Sequence, residues 1–401
     1  MKLYNSLTKK QEVFTPITEG KVTVYVCGIT PYDTTHLGHA FTYIFFDVLI
    51  RYLEFLGYSV TYTQNVTDIN DRDNDILKRA QEQNVPWQNL ANFWTDKFLH
   101  DMHTLNWRMP DNYLWASAHI PSMIRIIEKL LKNGLAYEKN GGVYLDVRKK
   151  EDFGKLSGFS EEKMLEIAKD FEEDIENKDK RHPLDITLWR PTESTQAVHI
   201  PSFDSPFGPG RPGWHIECSA MSLCSLGEQI DIHGGGIDLI YPHHESEIAQ
   251  SEGATGKVPF AKYWLHTHHV SYNGEKMSKS LGNLVMVSKL LEKYEPNAVR
   301  YMLLAHHYRE SWEFKEGEIG DARKKVKELL RHQVSPHQVT EEIKTYLSSF
   351  LPHMENDLST PTALKALHDL TDEIVTEQNE EVKLLKKQTL HVGLHMLGFI
   401  L

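Results

Sequence analysis

Lys21-Val22-Thr23-Val24-Tyr25-Val26-Cys27-Gly28-Ile29 is β-branched and apolar along most of its length, the pattern of a buried strand. A loop carrying Pro31 follows, and Thr42–Phe55 reads as a helix that Gly57 stops. Ser59–Thr63 then opens a second strand running toward Asn65-Val66-Thr67-Asp68. Strand, loop, helix and strand within about 45 residues make one βαβ unit, which needs a parallel sheet. The expected fold class is α/β.

Working outward, residues 71–200 read as a mostly helical insertion that interrupts the sheet domain of 1–70 and 201–285. Its pieces are Ile76–Gln83, Trp87–Leu105, Ala118–Lys132 and Glu161–Phe171, with a short strand at Gly141–Val147. The sheet resumes after a Pro/Gly-rich loop at 205–213, with a helix from Trp214 and a strand Gln229–His233 ending in Gly234-Gly235-Gly236. A helix from His243 and a strand Tyr263–Tyr272 complete it. Residues 286–401 read as a helical domain, including Lys315–Arg331, Thr340–Leu351 and Glu380–Leu397.

The chain has 401 residues, 40% hydrophobic and 25% charged, with a net charge of −12. Those values fit a globular protein of more than one domain. They argue against a surface coated with nucleic acid, although Arg323-Lys324-Lys325 with Lys327 and Arg331 form a local basic run. No run approaches the ~20 apolar residues of a membrane span, and the N-terminus lacks the build of a signal peptide. The expectation is a cytoplasmic protein. Its three cysteines, Cys27, Cys218 and Cys224, are too few for a disulfide framework.

Two segments carry the chemistry. His36-Leu37-Gly38-His39 precedes the first crossover helix, where open α/β sheets place anionic ligands. Gly274-Glu275-Lys276-Met277-Ser278-Lys279-Ser280-Leu281-Gly282-Asn283 sets two lysines and two serines between glycines. Such a loop alone is most often a solvated turn. Together and in this order, the two segments resemble the signature sequences of class I aminoacyl-tRNA synthetases. That resemblance implies a Rossmann-like nucleotide-binding domain with ATP between the motifs. Lys279, and to a lesser degree Lys276, would then stabilise the leaving pyrophosphate.

Cys27 ends the first strand, and Cys218 lies on the helix after Trp214. His243 and Glu247 are four residues apart, so they share a helix face. Thiolates, imidazole and carboxylate suit Zn²⁺, but cysteine is also a common small buried hydrophobe, and that reading stands beside the metal. Cys224 reads as structural.

Around these residues, Tyr25–Asp33, Asn65–Asp68, Gly210–Met221, Asp231–Gly236 and Pro242–Glu247 resemble the cysteinyl-tRNA synthetase family, from about residue 2 to about residue 310. The family implies that Cys27, Cys218, His243 and Glu247 bind a zinc that the substrate cysteine's thiolate also ligates. It further implies Trp214 and His233 at the amino-acid pocket. Gly28, Thr30, Gly38, Thr42, Asn65, Thr67, Gly236, Asp238, Val270 and Lys279 would surround the adenylate, with His36, His39, Lys276 and Lys279 catalytic. Ile237 stands where the family usually has serine.

The implied activity joins L-cysteine to AMP, with Mg²⁺ accompanying ATP, then transfers the cysteinyl group to tRNA. A monomer is expected, lacking a further anticodon-binding domain after 286–401. Other stretches, including Thr35–Ala40, Met164-Leu165 and Asn356–Pro361, also resemble the mycothiol-pathway ligases that join cysteine to an aminosugar-inositol. Glu247 and Lys180–Asp185 lean toward the tRNA enzymes. Three readings therefore stand: a cysteine–tRNA ligase, an aminosugar ligase with the same first step, and a paralogue that only binds tRNA or cysteine.

Overall fold

The computed structural model describes residues 1–31, 35–69, 76–171, 173–192, 201–277 and 282–401. Its centre is a five-stranded, all-parallel sheet whose strands lie in the order Ala261–Thr267, Ile230–Gly236, Lys21–Ile29, Ser59–Val66, Asn112–Trp115. Lys21–Ile29, the first strand of this sheet in chain order, is central, and the connections leave it in opposite directions. The C-terminal ends of Lys21–Ile29 and Ile230–Gly236 are therefore the topological switch point, where doubly wound sheets bind their ligands.

Side chains alternate across the first strand. Val22, Val24 and Val26 face a large core shared with the Leu37–Phe55 helix and the C-terminal helices. Tyr25 and Cys27 face a second core under the helices Trp214–Leu226 and Glu245–Thr255. One face of the sheet thus meets the first crossover helix, and the other meets the helices bearing Cys218 and Glu247.

Three expectations change. The first helix starts at Leu37, not Thr42, because the His36 ring accepts the His39 N–H and caps it. A histidine in that role does not look like the usual Ser/Thr/Asp/Asn cap. The 71–200 segment is not mostly helical. It gives the sheet its fifth strand, Asn112–Trp115, and its strands Ala136–Lys139, Gly142–Leu145 and Ile186–Pro191 form an antiparallel sheet completed by Gly210–Pro212. The last of these strands comes from the loop expected to be irregular. Finally, Tyr263–Tyr272 breaks after Thr267, and Val270–Tyr272 pairs instead with Glu275–Lys276 and Trp312–Glu313.

The C-terminal helices are locked to the catalytic core by Arg300. This fully buried guanidinium pairs with the equally buried Asp47 of the first helix. It also donates to the carbonyls of Leu397 (2.6 Å) and Leu105 (2.8 Å). Gly398 has φ +72°, and a Cβ there would lie 1.9 Å from the Arg300 guanidinium, so glycine is required on both counts. Among the described residues, no helix is long and apolar enough to cross a membrane.

Candidate active site and metal centre

The histidine segment pairs through its backbone with the chain just after the lysine segment. Leu37 N–H donates to Val285 C=O (2.8 Å), Val287 N–H donates to Thr35 C=O (2.9 Å), and His36 forms a bridge with Met286. Val285–Val287 thereby lie beside the N-terminus of the Leu37–Phe55 helix. Lys279 lies outside the described residues, and only the backbone of Lys276 is described. The His36 and His39 rings stack at 3.6 Å. Burial, with His36 alongside, holds the His39 imidazole well below its usual range.

The strand ends beside them are cross-braced. Gly28 N–H donates to Asn65 Oδ1 (2.8 Å), and Asn65 Nδ2 donates to Thr67 Oγ1 (3.2 Å). A Cβ on Gly28 would fall 1.6 Å from the Asn65 carbonyl oxygen, so only glycine fits. Asn65 and Thr67 are buried, and Thr30 is half-buried at the strand end. The Thr42 hydroxyl is engaged within the fold, donating to Gly38 C=O (3.2 Å) and lying 2.6 Å from Thr267 Oγ1. The Val270 side chain is buried in the core, which leaves its backbone as the part able to face a ligand. Asp238 follows the half-buried Gly236 and sets a carboxylate oxygen 2.6 Å from where a Gly236 Cβ would stand.

On the other face, ligand atoms of Cys27, Cys218, His243 and Glu247 all lie within 4.8 Å of one another, and all four residues are buried. Glu247 Oε1 is 3.4 Å from Cys27 Sγ and 3.2 Å from His243 Nε2. Burial, then Cys218 and Glu247, pushes the Cys27 thiol up, and burial pushes the Glu247 carboxyl up. Burial thus disfavours the anions of the Cys27 thiol and the Glu247 carboxyl, a cost that a divalent cation would reverse by favouring those anions. The donor set fits a metal ion. Trp214 stacks on His243 at 4.3 Å.

The sequence reading did not assign His244, His215 or His266. His244 Nε2 lies 3.3 Å from Cys27 Sγ, and its Nδ1 lies 2.8 Å from His266, which reaches Ser6 Oγ at 2.8 Å. His215 contacts His243 at 2.9 Å, and His233 contacts Glu247 at 3.0 Å. Cys27, His233, His244 and Glu247 make a second set of converging donors that shares two members with the first. The adjacent pair His243-His244 was the available signal. Neighbouring residues here face different partners, and no spacing rule says which.

Glu245 was also missed. Its carboxylate accepts N–H groups from Gly154 (2.9 Å), Leu156 (3.1 Å) and Ser157 (2.9 Å), pinning a loop of the inserted segment to the helix that carries Glu247. Glu245→Gln turns an amide NH₂ toward those donors and should cost about 1–3 kcal/mol. A lower urea midpoint together with faster amide exchange at 154–158 is expected. Unchanged exchange there would count against the anchor.

Residues 13–324 match the family profile described as tRNA synthetases class I (C) catalytic domain. A cysteine–tRNA ligase of Dehalococcoides mccartyi is 45% identical over 380 residues, covering 93% of this chain and 80% of the relative. One from Thermococcus onnurineus is 42% identical over 392 residues with the same coverage. One from Syntrophotalea carbinolica is 40% identical over 418 residues, covering 100% of this chain and 84% of the relative. Among solved structures, a methionyl-tRNA synthetase of Mycobacterium tuberculosis bound to methionyl-adenylate superposes with a TM-score of 0.63 at 17% identity. It covers 94% of this chain and 89% of its own. A LeuRS–tRNA–LeuAMS ternary complex from Agrobacterium radiobacter reaches 0.62 at 12% identity, covering 96% and 84%. At those identities the likeness is one of fold.

Proposed function

The chain belongs to the class I tRNA synthetases for cysteine, and from that premise we propose how its own residues divide the work. The activity is ATP-dependent activation of L-cysteine followed by charging of tRNA. A carboxylate oxygen of cysteine attacks the α-phosphorus of ATP, an O–P bond forms, and the bond to the β-phosphate oxygen breaks to release pyrophosphate. A ribose hydroxyl at the tRNA 3′ end then attacks the carbonyl carbon, and AMP leaves.

The observation that carries this assignment is the pairing of Thr35–Leu37 with Val285–Val287. It sets the chain just after the lysine segment beside the histidine segment, which supports a shared ATP site. His36 and His39 meet the triphosphate as hydrogen-bond donors. At 3.6 Å the two rings cannot both carry charge comfortably, and burial disfavours charge on His39. The positive charge opposite pyrophosphate falls instead to Lys279 and Lys276, with Mg²⁺ on ATP. Gly28, Thr30, Gly38, Thr67, Gly236, Asp238 and the Val270 backbone surround the adenylate. Asn65 and Thr42 hold that frame from behind. Trp214 and His233 line the cysteine pocket.

Cys27, Cys218, His243 and Glu247 hold one zinc ion. Zinc there supplies a soft cation with strong preference for a thiolate over a neutral hydroxyl. A pocket of shape alone separates cysteine from serine weakly. The chain acts as a cytoplasmic monomer. Its catalytic domain comprises 1–70 and 201–285, 71–200 faces the acceptor, and 286–401 is helical.

The test is cysteine-dependent ATP–pyrophosphate exchange, followed by transfer of labelled cysteine. Label on tRNA is expected, and label only on a small amine would overturn the acceptor. Lys279→Ala should slow exchange ~10²–10³-fold, the scale of one preorganised charge-stabilising group, while metal content stays unchanged. Unaltered exchange would remove Lys279 from the phosphate role.

A further inference from the structure

The inserted segment reaches the metal centre through one carboxylate. Its helix Glu161–Asp170 ends in a tight turn, in which Glu173 N–H donates to Ala168 C=O (2.9 Å) and Glu173 C=O accepts Ile175 N–H (2.7 Å). The partly buried side chain of Glu173 then sets Oε1 3.2 Å from Nε2 of the buried His215. The other ring nitrogen of His215, Nδ1, lies 2.9 Å from Nδ1 of His243. His243 turns its Nε2 to the donor cluster, 3.2 Å from Glu247 Oε1. One line of contacts thus runs from Glu173 through His215 and His243 to the donors under the sheet. Neither Glu173 nor His215 belongs to either converging donor set, so their part in it is orientation.

Hydrogen-bond chemistry reads that line in one direction. An ionised carboxylate only accepts, so Nε2 of His215 carries the ring hydrogen. In a neutral imidazole the other nitrogen is then an acceptor, and here it takes the Nδ1–H of His243. His243 is left with a bare Nε2, the form in which an imidazole binds a metal ion. Without an acceptor at position 173, either nitrogen of His215 can hold the hydrogen. Placed on Nδ1, it would make His243 accept there and carry its own hydrogen on Nε2, where the metal belongs. Trp214 packs against both rings, 4.8 Å from His215 and 4.3 Å from His243, which resists their turning over.

We infer that Glu173 is a positioning residue for the metal, fixing through His215 the tautomer of His243 that ligates zinc. The inference rests on the zinc assignment above and adds that a carboxylate of the inserted segment sets how firmly the ion is held. Glu173 touches neither the ion nor the substrate. Partners that orient a metal-binding imidazole typically contribute ~10–100-fold in metal affinity, and Glu173 acts one ring further out.

Glu173→Ala should raise the zinc Kd of the full chain about tenfold in competition with a chelator. Glu173→Gln keeps a carbonyl oxygen that accepts the same N–H, so its zinc Kd should stay close to that of wild type. Thermal melts check that both variants fold. In the zinc-loaded wild type, ring nitrogen chemical shifts should show His215 with its hydrogen on Nε2, a signature that a merely structural role for Glu173 would not set. Wild-type zinc affinity in Glu173→Ala would overturn the inference, and so would equal weakening in Glu173→Ala and Glu173→Gln. If Glu173→Ala fails to fold, the His215 shifts in wild type still decide, because a hydrogen on Nδ1 overturns the inference. Wild-type protein that binds no zinc would instead overturn the parent reading, and this one with it.

Discussion

A Cys27→Ala protein should purify without its metal and lose on the order of 10³-fold in kcat/KM for cysteine. Groups that merely support a metal ligand typically cost ~10–100-fold when lost, and Cys27 is placed as a direct ligand. Its removal leaves Cys218, His243 and Glu247 as three donors in a pocket where burial already raises the Glu247 carboxyl. Without the cation, cysteine and serine differ by little that shape can read, so their ratio of kcat/KM should collapse toward the ~10²-fold that a pocket supplies. Metal content by atomic emission and exchange with each amino acid check this. A variant holding stoichiometric metal and still rejecting serine would sink the ligand assignment. The shared membership of Cys27 and Glu247 in both donor sets gives the experiment a second arm. Cys218→Ala should be as damaging as Cys27→Ala if the metal sits with His243, and far milder if it sits with His233 and His244.

Asp47→Ala should be the most destabilising single change away from the site, by about 3–5 kcal/mol, because it strands a fully buried guanidinium without its counter-charge. Asp47 also accepts the Arg108 N–H (2.6 Å) and pairs with Arg51 at 2.9 Å, so three partners lose it together. Arg300 reaches Leu397 and Leu105 from the same position. The expected phenotype is loosening of the C-terminal helices from the catalytic core, read as a lower urea midpoint and faster amide exchange in Glu380–Met396. Adding Arg300→Met should restore part of the loss, since an apolar pair removes the stranded charge. A cost below about 1 kcal/mol, the level of an exposed ion pair, would show that water reaches the pair.

The signature segments were legible because each is continuous, and each sits where a period change marks a strand end or helix start. Cys27 could be placed at a strand end for the same reason. The first helix was read five residues short because its cap is a histidine. The inserted segment was misread because its strands are four to six residues long, too short for alternation to separate them from loop. Glu245 and Arg300 gave no local signal at all, and His244 only its place beside His243. Each is defined by a partner distant in the chain, as Cys27 and Glu247 are, 220 residues apart.

Local propensity, the βαβ order and the two nucleotide-site segments were therefore set by the chain itself, since a few adjacent residues suffice to produce them. Tertiary structure alone decided which donors converge under the sheet, which carboxylate pins the 154–157 loop, and which carboxylate meets the buried Arg300. Those are products of packing, in which burial in a low-dielectric core gives a charge or a thiol its meaning only through the groups that folding brings beside it.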